Sequence, residues 1–436
     1  YTDTEFVLKG LQIMCGIAGF VNDMPIDVKC PVLQRMTDMI AHRGPDSEGH
    51  YIDEHAALGH RRLSIIDLGG GQQPIYNEDG SKVITFNGEI YNYQTLREEL
   101  IAAGHTFTTK SDTEVLLHVY EQKSKSRDEL VAETRKAMLE FVIWDKNKQE
   151  LFGARDHFGI KPFYYAKMNG TFMYASEIKS LLRHPDFVKE LNAEALKPYM
   201  TFQYPAIGET FFKGVYKLPE GHYFTYRDGK MDIHRYYDED FREGKQKLGE
   251  LVNSIDQTVC DSVKAHQIAD VEVGSFLSSG VDSSYVAAVA RPQHTYSIGF
   301  GKGTYNESQQ AGELAELLKL NNTAESLTDE EAFAAFPRIQ WHLDEPDSNP
   351  SCVPLYFLSA LAAKDVKVVL SGEGADELFA GYIDYGVHTK FKPIKVVTRW
   401  LTHLPAGARK AIARFCKGKT FPGAWHLYAN LAPAEE

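Results

Sequence analysis

From residue 246 onward the chain alternates apolar strand with amphipathic helix, and no other feature restricts its fold so much. Residues 271–277 read as a strand, 284–290 as a helix, 295–300 as a strand and 307–318 as a helix. Thr328 and Glu331 form a capping-box pair that opens the next helix; residues 353–363 give another helix and 366–370 a strand. Strands joined through helices run parallel, so an α/β domain with a doubly wound parallel sheet is expected. Its ligand belongs at the carboxyl ends of the strands.

The first half follows different rules. Asp79-Gly80 precedes a strand at 83–86, Asn169-Gly170 precedes one at 171–174, and a strand at 141–144 runs into the polar turn 145–148. Antiparallel sheets follow from this pattern, covered by amphipathic helices at 32–40 and 93–102. A third helix, 112–120, has Asp112 or Thr113 available as its cap. Between the halves, Pro205, Gly208, Gly214, Pro219, Gly221 and Asp228-Gly229 punctuate short aromatic strands ahead of a charged run at 238–247. The expected division is a first domain at 15–205, a linker at 206–245 and a second domain at 246–436.

Two loops of the second half carry chemistry. Ser278-Ser279-Gly280-Val281-Asp282-Ser283-Ser284 brings hydroxyls, a glycine and a helix amino terminus together, which suits phosphate or pyrophosphate. Asp282 would repel such an anion unless a cation lay between them, which implies Mg2+. A Ser-rich helix cap would give the same letters, and both readings stand. The later loop, Ser371-Gly372-Glu373-Gly374-Ala375-Asp376-Glu377, repeats the arrangement with carboxylates added. A Walker-type fingerprint is absent: Gly418-Lys419-Thr420 has the ending, but Ala413 occupies the place of its first glycine.

In the first half, Met14-Cys15-Gly16-Ile17-Ala18-Gly19-Phe20 puts a cysteine after a methionine. Were Met14 an initiator and removed, one residue would carry both a thiol and a free α-amine, nucleophile and base together. A buried structural cysteine is the alternative. The other cysteines, Cys30, Cys260, Cys352 and Cys416, are widely spaced and supply neither a zinc nor a disulfide framework. A formal net charge of −13 opposes nucleic-acid binding, and no stretch approaches a membrane span or a secretory signal, so a cytoplasmic protein is expected.

The motifs and their order resemble those of the glutamine-hydrolysing asparagine synthetases. In the first half these are His42-Arg43-Gly44-Pro45-Asp46, Gly59-His60-Arg61-Arg62-Leu63-Ser64-Ile65, Asn87-Gly88-Glu89-Ile90-Tyr91-Asn92, and Arg155-Asp156 with Gly159-Ile160-Lys161-Pro162. The second half adds the Ser279 loop, Asp344-Glu345-Pro346 and the Ser371 loop. The resemblance implies an α+β amino-terminal-nucleophile domain, an αββα sandwich, followed by the α/β domain.

It also implies roles. Cys15 would attack the glutamine amide. The Asn87 side chain and the Gly88 amide would form the oxyanion hole. Arg62 would hold the glutamine α-carboxylate, with a surface salt bridge as its alternative, while Glu89 and Asp112 would take the α-amine. Ser278, Ser279, Gly280, Asp282, Ser283, Ser284, Ser371 and Gly372 would face ATP. Ile298 would flank the adenine unless it is an ordinary core residue. Glu373 would be catalytic, and Asp282 and Asp376 would meet Mg2+. Glutamine, aspartate and ATP are the implied substrates, with room for a homodimer and no nucleic-acid or membrane partner.

The sequence departs from the family pattern at several places. Ser279 stands where the family has glycine, residues 136–141 replace a glycine-containing turn, and 122–135 do not match. Residues 1–13 read as a non-native leader. The synthetase half is expected to be incomplete, because the chain stops before a later Arg-Val-Pro-Phe-Leu-Asp segment. A relative limited to glutaminase or scaffold activity, or a cyclising amide synthetase, are the alternatives.

Overall fold

The computed structural model describes residues 14–122, 126–133, 137–239, 244–300, 307–382, 401 and 403–416. The leader 1–13, Lys136 and Gly418-Lys419-Thr420 lie outside the described residues. The chain divides into two compact units, Tyr1–Ser371 and Gly372–Glu436.

Most of the first unit is a four-layer αββα sandwich. One six-stranded sheet has the order β10-β8-β9-β1-β3-β2, from β1 (Gly16–Val21), β2 (Ser47–Ile52), β3 (Ala56–Arg62), β8 (Tyr164–Met168), β9 (Thr171–Ala175) and β10 (Val215–Lys217). The other has the order β12-β11-β7-β6-β5-β4, from β4 (Ile75–Tyr76), β5 (Lys82–Ile90), β6 (Ala137–Asp145), β7 (Glu150–Arg155), β11 (His222–Arg227) and β12 (Lys230–Arg235). All their pairings are antiparallel.

Side-chain alternation builds the layers. On β6, Val142 and Trp144 face the other sheet while Leu139, Phe141 and Ile143 face helices; on β9, Phe172 and Tyr174 divide from Met173 and Ala175 in the same way. Helix α1 (Ile26–Asp38) covers the first sheet, and α2 (Tyr93–Ala102), α3 (Asp112–Glu121) and α4 (Arg127–Glu133) cover the second. The short α5 (Ile178–Leu181) joins the first cover, and α6 (Leu196–Phe202) follows it in the chain. Trp144, fully buried between the sheets, satisfies its indole N–H on Asp53 Oδ2 at 2.7 Å. Burying such side chains stabilises by roughly 1.5–3 kcal/mol each.

Through Arg235, the stretch expected as a linker belongs to this sandwich. β10 pairs with β8, and β11 pairs with β7 and β12. Asp228 and Gly229, with φ of 49° and 72° in the left-handed region, turn the hairpin between β11 and β12.

The remainder of the first unit is a parallel sheet, order β15-β14-β13-β16, made of β13 (Val273–Phe276), β14 (His294–Phe300), β15 (Asn321–Leu327) and β16 (Val368–Leu370). Helices α7 (Leu248–Ala265), α8 (Val281–Ala290) and α9 (Ser308–Leu318) pack against one face. The chain then forms α10 (Asp329–Leu343), and α11 (Cys352–Ala362) packs on the other face. The doubly wound expectation is met, and strand order reverses between β13 and β16. Two elements add to those expected from the sequence. β15 is a polar, mostly exposed edge strand, and α7 follows the charged run directly.

Sandwich and parallel sheet are joined through motif residues. Lys179 Nζ lies 2.5 Å from Glu177 Oε2 and 2.9 Å from Asp344 Oδ1, and Ile178 N–H donates to Asp344 Oδ2 at 2.6 Å. Phe211 N–H donates to Glu345 Oε1 at 3.2 Å, and Asp46 Oδ2 accepts from Ser64 N–H and Lys367 Nζ. Burial works against the Glu177 carboxylate, but His42, Arg43 and Lys179 hold it well below its ordinary pKa. The side chains of Lys179, Glu177 and Asp344 are nearly inaccessible. Lys179→Met would take the cation from the buried Asp344 carboxylate and leave Glu177 with His42 and Arg43, and denaturant unfolding is expected to show a loss of about 3–5 kcal/mol. A cost below about 1 kcal/mol would show that this junction is not held by charge.

The second unit, described by itself, contains α12 (Ala375–Phe379), entered through Gly374 at φ 89°, and α13 (Ala406–Cys416). Among the described residues no helix is long and apolar enough to cross a membrane.

Candidate active sites

Cys15 precedes the central strand of the first sheet, where β1 is held between β3 and β9. Ser176 Oγ accepts from Ile17 N–H at 2.9 Å and Arg43 Nε donates to the Cys15 carbonyl at 2.9 Å, so the backbone on either side of the thiol is fixed. The second sheet delivers Asn87, Gly88 and Glu89 at the end of β5. One cavity is lined by Cys15, Arg62, Gly88, Glu89 and Asp112, together with Leu63 and Ile66.

The thiol is poorly placed to ionise unaided. Burial pushes it up to about 11, and the Leu63 backbone contact and the charges of Arg62 and Lys161 offset only part of this. Among the described residues, Sγ makes hydrogen bonds with the Leu63 backbone alone: the N–H at 3.4 Å and the carbonyl at 3.5 Å. Among the described residues no side-chain base hydrogen-bonds to it.

Arg62, 5% exposed, points Nη2 at the carbonyls of Ile66 (2.9 Å) and Asp67 (2.7 Å). Carbonyls hold this guanidinium, and the surface salt-bridge reading fails. Gly88 has no room for a side chain, since a Cβ there would lie 2.2 Å from the Met138 carbonyl oxygen of β6. That contact explains the glycine.

Ser111, not Asp112 or Thr113, caps α3, its Oγ accepting from Thr113 N–H at 3.2 Å. The correction has a chemical consequence: Asp112 is left with its carboxylate on the cavity wall, tied to Ile90 N–H at 3.0 Å. Burial pushes Asp112 up to about 6, and burial followed by the Asp112 charge pushes Glu89 well above its ordinary value. Two crowded acids gain from a cation in the cavity. If an ammonium group of the substrate sits there, kcat/KM for glutamine should fall about tenfold per pH unit below about pH 6, as the pair takes up a proton. Asp112→Asn should weaken binding and flatten that limb, which a pH profile of both forms would read.

Asn87 is buried but does not line the cavity in this state; its Nδ2 donates to Glu140 Oε1 at 2.7 Å. Glu140 faces Asn87 across the β5–β6 ladder and also accepts from Ser176 Oγ. It lies in the stretch that departs from the family pattern. Burial pushes it up to about 7, with Arg43 the main opposing influence. Among the described residues its Oε2 has no hydrogen-bond partner. Gln73 was also unread: its side-chain amide accepts from Phe86 N–H at 2.7 Å and donates to Phe86 O at 3.0 Å, fixing β5 just before Asn87. Nothing in its local sequence marks that task.

The second candidate site begins where β13 ends. Ser278 Oγ and Ser283 Oγ are 2.8 Å apart, Gly280 N–H donates to Ser278 Oγ at 3.1 Å, and Ser284 Oγ donates to Gly280 O at 2.6 Å. Gly280 is the N-cap of α8, with Asp282 in its first turn. Ser279 is exposed and keeps a negative φ, so the substitution of glycine there costs no backbone strain. Hydroxyls and free helix N–H groups at an open loop fit an anionic phosphate, and Asp282 fits a bridging cation. Ile298 lies on β14, half-buried, paired with Glu325. Ser371 follows β16; Gly372, Glu373 and Asp376 belong to the second unit, where Asp376 O accepts from Gly381 N–H at 2.9 Å.

Residues 14–237 match the family described as a glutamine amidotransferase domain, and residues 254–432 match that described as asparagine synthase. The chain is 42% identical over 407 residues to glutamine-hydrolysing asparagine synthetase 1 of Bacillus subtilis, covering 92% of this chain and 62% of that protein. It is 35% identical to a putative glutamine-hydrolysing asparagine synthetase of Mycobacterium bovis, covering 93% of this chain and 66% of the relative. Against a second putative synthetase, from Methanocaldococcus jannaschii, identity is 33%, with 85% of this chain and 76% of the relative covered. The chain thus spans just under two thirds of the first two relatives.

Proposed function

Since the chain belongs to the glutamine-hydrolysing asparagine synthetase family, we propose that it releases ammonia from glutamine at Cys15 and uses it, with ATP, to convert aspartate to asparagine. The observation that carries the glutaminase half is the single cavity joining Cys15, Arg62, Gly88, Glu89 and Asp112. Arg62 binds the glutamine α-carboxylate, and Glu89 with Asp112 binds the α-ammonium. The Cys15 thiol attacks the side-chain amide, passing its proton through the residue's own α-amine to the leaving ammonia. The Gly88 N–H and the Asn87 amide stabilise the oxyanion, and water then cleaves the thioester to glutamate.

In the second half the loop 278–284 holds the pyrophosphate portion of ATP, and Ile298 flanks the base. The aspartate β-carboxylate attacks the α-phosphorus, pyrophosphate leaves, and ammonia displaces AMP from the β-aspartyl-AMP intermediate. Mg2+ at Asp282 would neutralise the phosphate oxygens, and Asp376 is the acidic residue of the second unit that the family resemblance assigns to the metal. Glu373 acts beside the aspartate. Support for this half comes from the loop at the strand-order reversal and from the match over residues 254–432.

Incubation with glutamine, aspartate and MgATP, with products quantified, tests the reading. Asparagine, AMP and pyrophosphate are expected in equal amounts, and Asp282→Asn should abolish pyrophosphate release. ADP with orthophosphate would overturn the reading.

A further inference from the structure

At the end of α3 remote from Asp112, four side chains from three separate segments converge. Glu78 comes from the turn before β5, His105 from the connection between α2 and α3, and His118 and Glu121 from adjacent turns of α3. We propose that they form a binding site for a divalent transition cation of the zinc class, with two nitrogen and two oxygen ligands.

The spacing suits one ion. His118 Nδ1 is 3.1 Å from Glu121 Oε2 and 3.4 Å from Glu78 Oε2, while His105 Nδ1 is 3.2 Å from Glu78 Oε1 and 3.9 Å from Glu121 Oε2. Zinc bonds of about 2.0–2.1 Å in a tetrahedron place neighbouring ligands roughly 3.3 Å apart. Small side-chain movements therefore close the shell.

The surroundings hold the ligands from outside. Glu121 Oε1 accepts from Asn77 Nδ2 at 2.7 Å and from Lys82 Nζ at 3.3 Å, leaving Oε2 for the imidazoles. Thr106 N–H fixes Glu78 at 3.1 Å. The His118 side chain is fully buried and aims Nδ1 into the cluster. Its Nε2, on the far side, has no hydrogen-bond partner among the described residues and lies 3.7 Å from Glu114 Oε1. Glu114 is itself pinned by the N–H groups of Thr108 (2.7 Å) and Thr109 (2.6 Å). A cation at Nδ1 would settle the ring proton on Nε2, facing Glu114, and create a carboxylate–histidine–metal relay. Glu78, Glu114 and Glu121 face the histidines, and among the described residues Lys82 is the only lysine or arginine bonded to the group, so a divalent charge is favoured there.

Bound metal would tie the end of α3 to the turn before β5 and brace the helix that presents Asp112. The test uses the full chain, stripped with chelator, in a Cys15→Ala background so that this thiol does not compete. Cobalt(II) is titrated as a spectroscopic probe and zinc by calorimetry, with Tm followed in parallel. Expected are one tightly held equivalent, visible bands of tetrahedral cobalt and a zinc-induced rise in Tm. Glu78→Gln, at an exposed position, and His105→Asn, at a partly exposed one, should each weaken binding at least about tenfold while the metal-free Tm stays near the parent value. No binding, or binding weakened less than tenfold by both substitutions, would overturn the site and leave a buried histidine–glutamate ion-pair cluster.

Discussion

Cys15→Ala is expected to abolish glutamine hydrolysis while leaving any ammonia-supported turnover intact, because ammonia supplied from solution bypasses the thiol. With the thiol pushed up to about 11, only roughly one molecule in 10³–10⁴ would carry a thiolate near pH 7.5, so the attacking sulfur must lose its proton during the reaction. Among the described residues only the Leu63 backbone hydrogen-bonds with Sγ, and the residue's own α-nitrogen is the base fixed covalently beside the thiol. An α-amine, with an ordinary pKa of about 7.7–8.0, serves this purpose; an amide nitrogen does not. A form whose first residue is Cys15 should therefore hydrolyse glutamine, and one retaining residues 1–14 should be nearly inactive, with intact mass identifying each terminus. Equal rates in the two forms would eliminate the amino-terminal-nucleophile mechanism.

The second large effect is expected at the Asn87–Glu140 pair. Asn87→Ala should lower kcat for glutamine about 10²–10³-fold with little change in KM, since an oxyanion donor acts chiefly in the transition state. Glu140 orients that amide through the 2.7 Å bond, and Glu140→Gln keeps an acceptor in place, so its effect on kcat should be smaller. Its mark should instead appear in stability. Burial raises Glu140 from 4.5 to about 7, so the folded state holds the proton more tightly than the unfolded chain. That stabilisation is complete below the unfolded value and is lost as pH rises through about 7, an amount of about 3 kcal/mol. Glu140→Gln should remove this dependence, with unfolding free energies measured from pH 4 to 8 converging at low pH and favouring the variant at high pH. Parallel curves would contradict the buried, proton-holding role.

Much of the fold was legible because periodicity and turn chemistry agreed. Asn169-Gly170 does turn β8 into β9, and the Thr328–Glu331 capping box does open α10. The errors came where one of those signals was missing. β15 is a polar edge strand whose sequence, Asn321-Asn322-Thr323-Ala324-Glu325-Ser326-Leu327, shows no apolar alternation because only one side of it pairs in the sheet. Residues 206–245 read as a linker because hairpin glycines and linker glycines look alike in sequence, where the pairing of β11 is not visible.

At the sites, Cys15, Arg62, Gly88, Glu89 and Asp112 were found through motif order, yet their convergence depends on two sheets meeting at one edge. Glu140 gave no signal because its meaning lies in the residue opposite it on β5. The histidine–glutamate cluster was equally hidden, since residues 78, 105, 118 and 121 share no local pattern beyond the pair on α3.

The most direct measurement is covalent labelling with a diazoketone analogue of glutamine, followed by peptide mass mapping, on protein whose amino terminus is Cys15. The expected result is one adduct, on the Cys15 peptide, suppressed by glutamine and lost in Arg62→Ala. An adduct on Cys30, Cys260 or Cys352 instead, or labelling of Cys15 that glutamine does not protect, would contradict the assignment of this cavity as a glutaminase site.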